Sequence, residues 1–180
     1  MVLLNAAGPF SEWPEAIGLA AIGEDLKFLA LRIRTLANVG AYVSSFGAQV
    51  PEKEAWNIGW DVLQKTGLAR YANQPAGSLT LLNRKRLELA RALSTRPKLL
   101  LLDEIAGGLT EHEAAELVDE LKRIKATGVT MIWIEHVVHA LLSVADRLFV
   151  INFGQQLAEG RPHEVMNDAQ VQRVYMGMEV

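Results

Sequence analysis

From Pro51 onward, apolar residues recur at regular intervals, and the interval changes along the chain. Pro51 opens a predicted helix that Gly67 ends, with Glu52 and Glu54 in its positive first turn and Trp56, Gly59, Trp60 and Leu63 on one face. A second helix, from Asn83 to Ser94, carries Leu89, Ala92 and Leu93 on one side and Arg84, Lys85, Arg86 and Arg91 elsewhere. Pro97 bars its continuation. The unbroken run Leu99-Leu100-Leu101-Leu102 reads as a strand covered on both faces. After Gly107-Gly108, the residues Ala114, Leu117, Val118, Leu121 and Ile124 form the stripe of an amphipathic helix closed by Gly128. Val129 to Ile134 is the next strand, and Glu135-His136 stands at its end. A short helix to Ala145, a strand from Arg147 to Ile151 and a turn at Asn152-Phe153-Gly154 follow. Gln155 to Ala158 then completes a hairpin, and short helices form the tail beyond Pro162. Up to about Gly47 neither period persists, and Gly8-Pro9, Trp13-Pro14 and Gly18 interrupt what pattern there is.

Strands alternating with helices through short connections predict an α/β fold built on a parallel sheet. Ligands of such sheets sit beyond the carboxyl ends of the strands, where Asp103-Glu104 and Glu135-His136 both fall. Composition narrows the chemistry. The chain has 180 residues, half of them apolar, enough for one core. Its formal net charge of −3 supplies no field for holding nucleic acid. It has no cysteine, which excludes disulfide frameworks, thiol nucleophiles, iron–sulfur clusters and Cys-ligated zinc. The apolar stretch from Ala16 to Gly23 is far shorter than the roughly 20 residues that span a bilayer, so membrane contact is expected only through partners.

Two acids directly after a buried strand need a cation or open water, because a desolvated carboxylate without a partner costs several kcal/mol. Asp103 is a candidate Mg²⁺ ligand and Glu104 a candidate for orienting the water that attacks a phosphate. The plainer alternative is that the pair caps the following segment in solvent. His136, at the end of the neighbouring strand, is placed to reach the same crevice, or else to serve the structure alone. His136 and His139 lack the spacing and intervening Glu of the two-histidine zinc motif. Arg84-Lys85-Arg86 opens a helix and is either an anion site or a solvated face. Trp56 and Trp60 read as core or partner contacts.

In this order the motifs from Leu79 to His136 resemble the second half of the ATP-binding subunit of ABC transporters, most of all those serving branched-chain amino acid uptake. Leu99 to Glu104 (LLLLDE) looks like the Walker B strand with its catalytic glutamate. Arg86 to Leu93 (RLELARAL) is similar to the helix behind the signature loop, Gly107-Gly108-Leu109-Thr110 to the D-loop, and Ile134-Glu135-His136 to the switch histidine. The resemblance covers about residues 50–177. It implies a truncated P-loop NTPase sheet flanked by helices, with a C-terminal β-hairpin. It also implies one domain over 1–180: a divergent or truncated part over 1–50, a helical and signature region over 51–98, and the Walker B, D-loop, switch and hairpin region over 99–180.

The resemblance implies ATP and Mg²⁺ as cofactors, with Asp103 on the metal and Glu104 and His136 as catalytic residues. Thr80, Asn83, Gly108 and Thr110 are implied as nucleotide contacts. It implies a second ATP-binding subunit, identical or not, and membrane permease subunits as partners, on the cytoplasmic face of the cell membrane. The chain departs from the family where Leu79-Thr80-Leu81-Leu82-Asn83 replaces a signature loop with two glycines, where Ile105 follows Glu104 in place of Pro, and where Thr110 replaces an acid or Asn. No Gly-Lys pair occurs anywhere, so the P-loop that cradles phosphates is missing. Leu36-Ala37-Asn38-Val39 looks like the stretch after the Q-loop, without a Gln at the expected place ahead of it. Without a P-loop strand, the sheet edge beside Ile132 and Leu101 is expected to be uncovered. The expected function is an ATP-hydrolysing subunit of an importer for branched-chain amino acids or similar small solutes that does not bind ATP in the normal way, or alternatively a catalytically inactive fragment or a passive binding partner of a complete ATPase subunit. Chromosome-maintenance ATPases share these motifs but need a coiled coil that has no heptad run here.

Overall fold

The computed structural model of the chain describes residues 2–5, 19–21 and 52–176. The segment resembling the stretch after the Q-loop, 36–39, lies outside them. Six strands form one sheet: β1 (Val2–Asn5), β2 (Leu19–Ala21), β3 (Leu99–Asp103), β4 (Thr130–Ile134), β5 (Arg147–Asn152) and β6 (Gln155–Gly160). Their spatial order is β2-β3-β4-β1-β5-β6. β2, β3 and β4 are parallel, and β1 runs antiparallel to both β4 and β5, so β5 points the same way as β4. The predicted parallel set is thus present, but its last member is separated from the others by a reversed strand.

That reversed strand corrects one expectation. Ile132 is not at an open edge, because it pairs with Leu4, and Leu101 pairs with Ala21. The flanks of the β3–β4 pair are covered by residues 2–5 and 19–21, in a stretch whose sequence carries no persistent period. A strand of three or four residues is too short for periodicity to show, so only pairing reveals it.

Five α-helices of five residues or more surround the described part of the sheet: α1 (Glu52–Lys65), α2 (Leu81–Ser94), α3 (Glu111–Lys125), α4 (Val138–Val144) and α5 (Pro162–Met166). α1 stops where Gly67 takes φ +67° and the Leu68 N–H donates to the Leu63 carbonyl at 2.8 Å, the six-to-one bond of a Schellman end. Its buried face is Ala55, Ile58, Val62 and Leu63, whereas Trp56 and Trp60 are exposed. Of the face expected to pack, Gly59 and Leu63 are buried and Trp56 and Trp60 are not; the stripe that goes inside is turned toward Ala55, Ile58 and Val62.

The core has two clusters. One joins α1 and α2 through Ile58, Val62, Leu63, Leu68, Leu79 and Leu87. The other fills the sheet and its helices with Leu100, Leu102, Met131, Trp133, Leu117 and Leu148. Leu93, near the end of α2, packs against both. The hairpin β5–β6 turns through Phe153 (φ +46°) and Gly154 (φ +78°), the type I′ geometry that suits strand twist, and it carries a register shift at Val150/Ile151. The tail returns to the core through Val165 and Val171, and the Tyr175 hydroxyl donates to the Ile151 carbonyl at 2.6 Å. No helix among the described residues is long and apolar enough to cross a membrane.

Candidate functional site

The parallel pairing of β3 and β4 sets Asp103 opposite Ile134, and the register brings the two strand ends level. One residue further, the Glu104 N–H donates to the Ile134 carbonyl at 2.9 Å. Glu104 takes φ +44°, a left-handed conformation that costs a non-glycine residue about 1–2 kcal/mol and is concentrated at functional sites. The twist turns its carboxylate out at the sheet edge. Across the gap, His136 Nδ1 lies 3.8 Å from Glu104 Oε1, with the two side chains 65% and 63% exposed. Asp103 is exposed beside them. An acid, a second acid and an imidazole thus stand together at the carboxyl edge of parallel strands, open to an incoming ligand.

Glu135 is the residue whose role sequence reading passed over. Its side chain is fully buried, Oε1 accepts the Ala106 N–H at 2.8 Å and Oε2 accepts the His136 N–H at 3.0 Å. A signal was present: Met131, Trp133 and Glu135 alternate on one face of the strand, and the first two are core residues. The period of two points Glu135 inward and His136 outward.

Thr80 and Thr110 each cap a helix. The Thr80 hydroxyl accepts the Asn83 N–H at 3.4 Å, and the Thr110 hydroxyl accepts the Glu113 N–H at 3.3 Å. Glu113 closes the capping box by accepting from the Thr110 backbone and hydroxyl, and these bonds hold its carboxyl below the usual carboxylate value. The Asn83 residue is buried, and its amide oxygen accepts from Arg86 at 3.4 Å, so it faces protein. Gly108, at φ +77°, lies so close to Leu81 that an added Cβ would meet the Leu81 side chain at 3.3 Å. The space that a glycine at position 81 would leave open is therefore filled, within this chain, by leucine against the D-loop-like turn.

Arg84, Lys85 and Arg86 do not act as one cationic patch. Arg86 crosses to α3 and donates to Glu120 at 2.8 Å and Glu116 at 3.0 Å, with its side chain 14% exposed. Burial pushes the Glu120 carboxyl above the usual carboxylate value, and Arg86 only partly offsets it.

Asp103 and Glu104 are hard oxygen donors of the kind Mg²⁺ takes, and such an ion keeps waters and phosphate oxygens in its shell. Among the described residues no group of three or more His, Cys, Asp or Glu encloses a metal unaided. Two exposed carboxylates fit a Mg²⁺ that takes the rest of its shell from water or other ligands. His139 does not join them in any such group.

The fold is that of the ATP-binding cassettes of ABC transporters. Among solved structures the fold matches the ADP conformation of MJ1267, an ATP-binding cassette of an ABC transporter, with a TM-score of 0.77, 24% identity, and coverage of 89% of this chain and 69% of that one. It also matches cbiO1 from Clostridium perfringens, part of the transporter complex cbiONQ, at 0.75 and 24%, over 91% of this chain and 68% of that one. In sequence, the chain is similar to ATP-binding subunits of the branched-chain amino acid type. It is 35% identical over 127 residues to the high-affinity branched-chain amino acid transport ATP-binding protein BraF of Pseudomonas aeruginosa, covering 70% of this chain and 50% of BraF. To LivG of Escherichia coli K12, of the same description, it is 36% identical over 116 residues, 64% of this chain and 46% of LivG. Residues 155–177, the last strand and tail, match the family model of the branched-chain amino acid ATP-binding cassette transporter. The chain spans about half the length of the curated relatives it matches.

Proposed function

We propose that this chain supplies the Mg²⁺, water and terminal-phosphate side of the ATP site in an ABC importer for branched-chain amino acids or similar small solutes. The observation that carries the reading is the edge itself: Glu104, held at φ +44°, and His136 on the adjacent parallel strand, 3.8 Å apart and open. Relatives whose names include branched-chain amino acid transport support the solute class.

Bound Mg²⁺ would neutralise charge on the phosphates during transfer. Asp103 would offer it an oxygen, Glu104 would orient the attacking water and accept its proton, and His136 would contact the terminal phosphate. Thr80, Asn83, Gly108 and Thr110 are the proposed nucleotide contacts. Thr80 and Thr110 are exposed, but the Thr110 hydroxyl would have to leave Glu113 as Asn83 would have to leave Arg86, and the Thr80 hydroxyl already accepts from the Asn83 N–H. The partners are a second ATP-binding subunit, of the same or another sequence, and permease subunits at the cytoplasmic face of the membrane.

The absence of a Gly-Lys pair supports a finer statement: the chain does not hold ATP by a P-loop of its own sequence. Leu81 packed on Gly108 favours the second reading, a passive partner of a complete subunit. Calorimetric titration of the 180-residue chain with Mg·ATP, with a complete homologous subunit as positive control, separates the two. Binding in the micromolar to low-millimolar range shows that another loop replaces the P-loop and extends the enzyme reading to this chain. No heat from folded protein leaves the passive partner.

A further inference from the structure

We propose that Glu135 is the positioning residue of this edge, locking both the turn that displays Glu104 and the ring orientation of His136. The inference rests on the functional reading above only for the purpose of the edge; the lock itself is a property of this chain.

A buried carboxylate needs its lone pairs met, and Glu135 meets them with groups on either side of the crevice. Oε1 takes the Ala106 N–H at 2.8 Å, from the turn in which the Gly107 N–H also closes on the Glu104 carbonyl at 3.1 Å. Oε2 takes the His136 N–H at 3.0 Å. One rigid side chain therefore spans the turn after β3 and the backbone after β4. That span ties together the backbone beside Glu104 and that of His136, whose exposed side chains stand 3.8 Å apart.

The same Oε2 lies 3.3 Å from His136 Nδ1, and Glu104 Oε1 approaches that nitrogen from outside at 3.8 Å. Two carboxylate oxygens repel a lone pair on Nδ1 and attract an N–H there. The neutral ring is thereby held as the Nδ1–H tautomer, and Nε2 is the nitrogen presented outward. Glu135 acts through His136 and the turn and touches no ligand itself. A Gln at 135 keeps the volume but accepts at one oxygen only, and its amide group would face one of the two N–H donors.

The test is nuclear magnetic resonance on the nucleotide-free 180-residue chain, wild type and Glu135→Gln. Side-chain ¹⁵N shifts of His136 are read on the alkaline plateau, where they no longer change with pH, together with hydrogen exchange of backbone amides. In the wild type the Nδ1–H form dominates. In Glu135→Gln the tautomer ratio moves at least about threefold toward Nε2–H, and exchange of the Ala106 and His136 amides quickens at least about tenfold, with core amides such as that of Leu121 unchanged. A wild-type ring that is mainly Nε2–H overturns the proposal whether or not the variant folds. So does a variant with unchanged tautomer and unchanged exchange, or one in which all core amides quicken equally. No nucleotide enters this measurement, so a chain that binds no Mg·ATP leaves the lock standing, and a chain that binds Mg·ATP with an unlocked His136 leaves only the functional reading.

Discussion

Under the proposed function, turnover is expected to depend on Glu104 and His136. Glu104 is exposed and sits at the end of a buried strand in a left-handed conformation, so its substitution changes chemistry with little loss of packing. Glu104→Gln keeps the shape and removes the base; turnover is expected to fall by about 10²-fold or more with nucleotide retained, checked by phosphate release against bound nucleotide. Unchanged hydrolysis would remove Glu104 from the mechanism. His136→Ala is expected to lower turnover more than nucleotide affinity, and equal loss of both would mark a structural histidine.

Two elements, α2 and α3, are tied by the Arg86–Glu120 pair, and its balance is uneven. Burial raises the Glu120 carboxyl, so the folded state favours its protonated form. The resulting stability is full below the unfolded carboxylate value and is lost as pH rises through the raised folded value. Glu120→Gln is therefore expected to flatten that decline in a series of melting curves against pH. Arg86→Met leaves the Glu120 carboxylate buried without its cation and should cost about 3 kcal/mol in denaturant unfolding near neutral pH. The hairpin offers a change of opposite sign. Phe153 is fully exposed at φ +46°, so it buries nothing and strains the turn. Phe153→Asn should stabilise by about 0.5–1 kcal/mol, read as a higher Tm, and a lower Tm would show that the turn is not the limiting strain.

At the scale of the molecule, the central position of β1 decides how the two halves of the sheet are joined. In the hydrogen-bonded ladder β1 lies between β4 and β5: Leu3 is registered with Trp133 on one side and Leu148 on the other. A proline there removes a ladder donor from a central strand. Leu3→Pro is expected to cost about 2 kcal/mol or more, with the β5–β6 hairpin amides losing exchange protection before those of β3. Equal protection in both would mean that β5 is held mainly by side-chain packing such as that of Leu148 and Val150.

Much of the fold was legible in the residue pattern because its elements are long or strongly marked. The leucine run of β3, the stripe of α3 with Thr110 before it, and the Phe153-Gly154 turn each follow from local rules of period, capping and backbone handedness. Asp103, Glu104 and His136 were legible as polar residues ending apolar strands, and parallel pairing alone brings them to one edge. Other features depend on partners distant in sequence. β1 and β2 are too short to show a period, and their pairing depends on strands about 80 to 145 residues away. The inward face of α1, the capture of Arg86 by α3 and the closeness of Leu81 to Gly108 likewise depend on what each side chain meets. The sequence alone determined which groups are available and on which local element each stands. Tertiary structure decided which groups meet, because burial and hydrogen bonding across the sheet depend on neighbours that no local window contains. It set Glu135 between two strand ends, where a carboxylate out of water must find its donors in the protein.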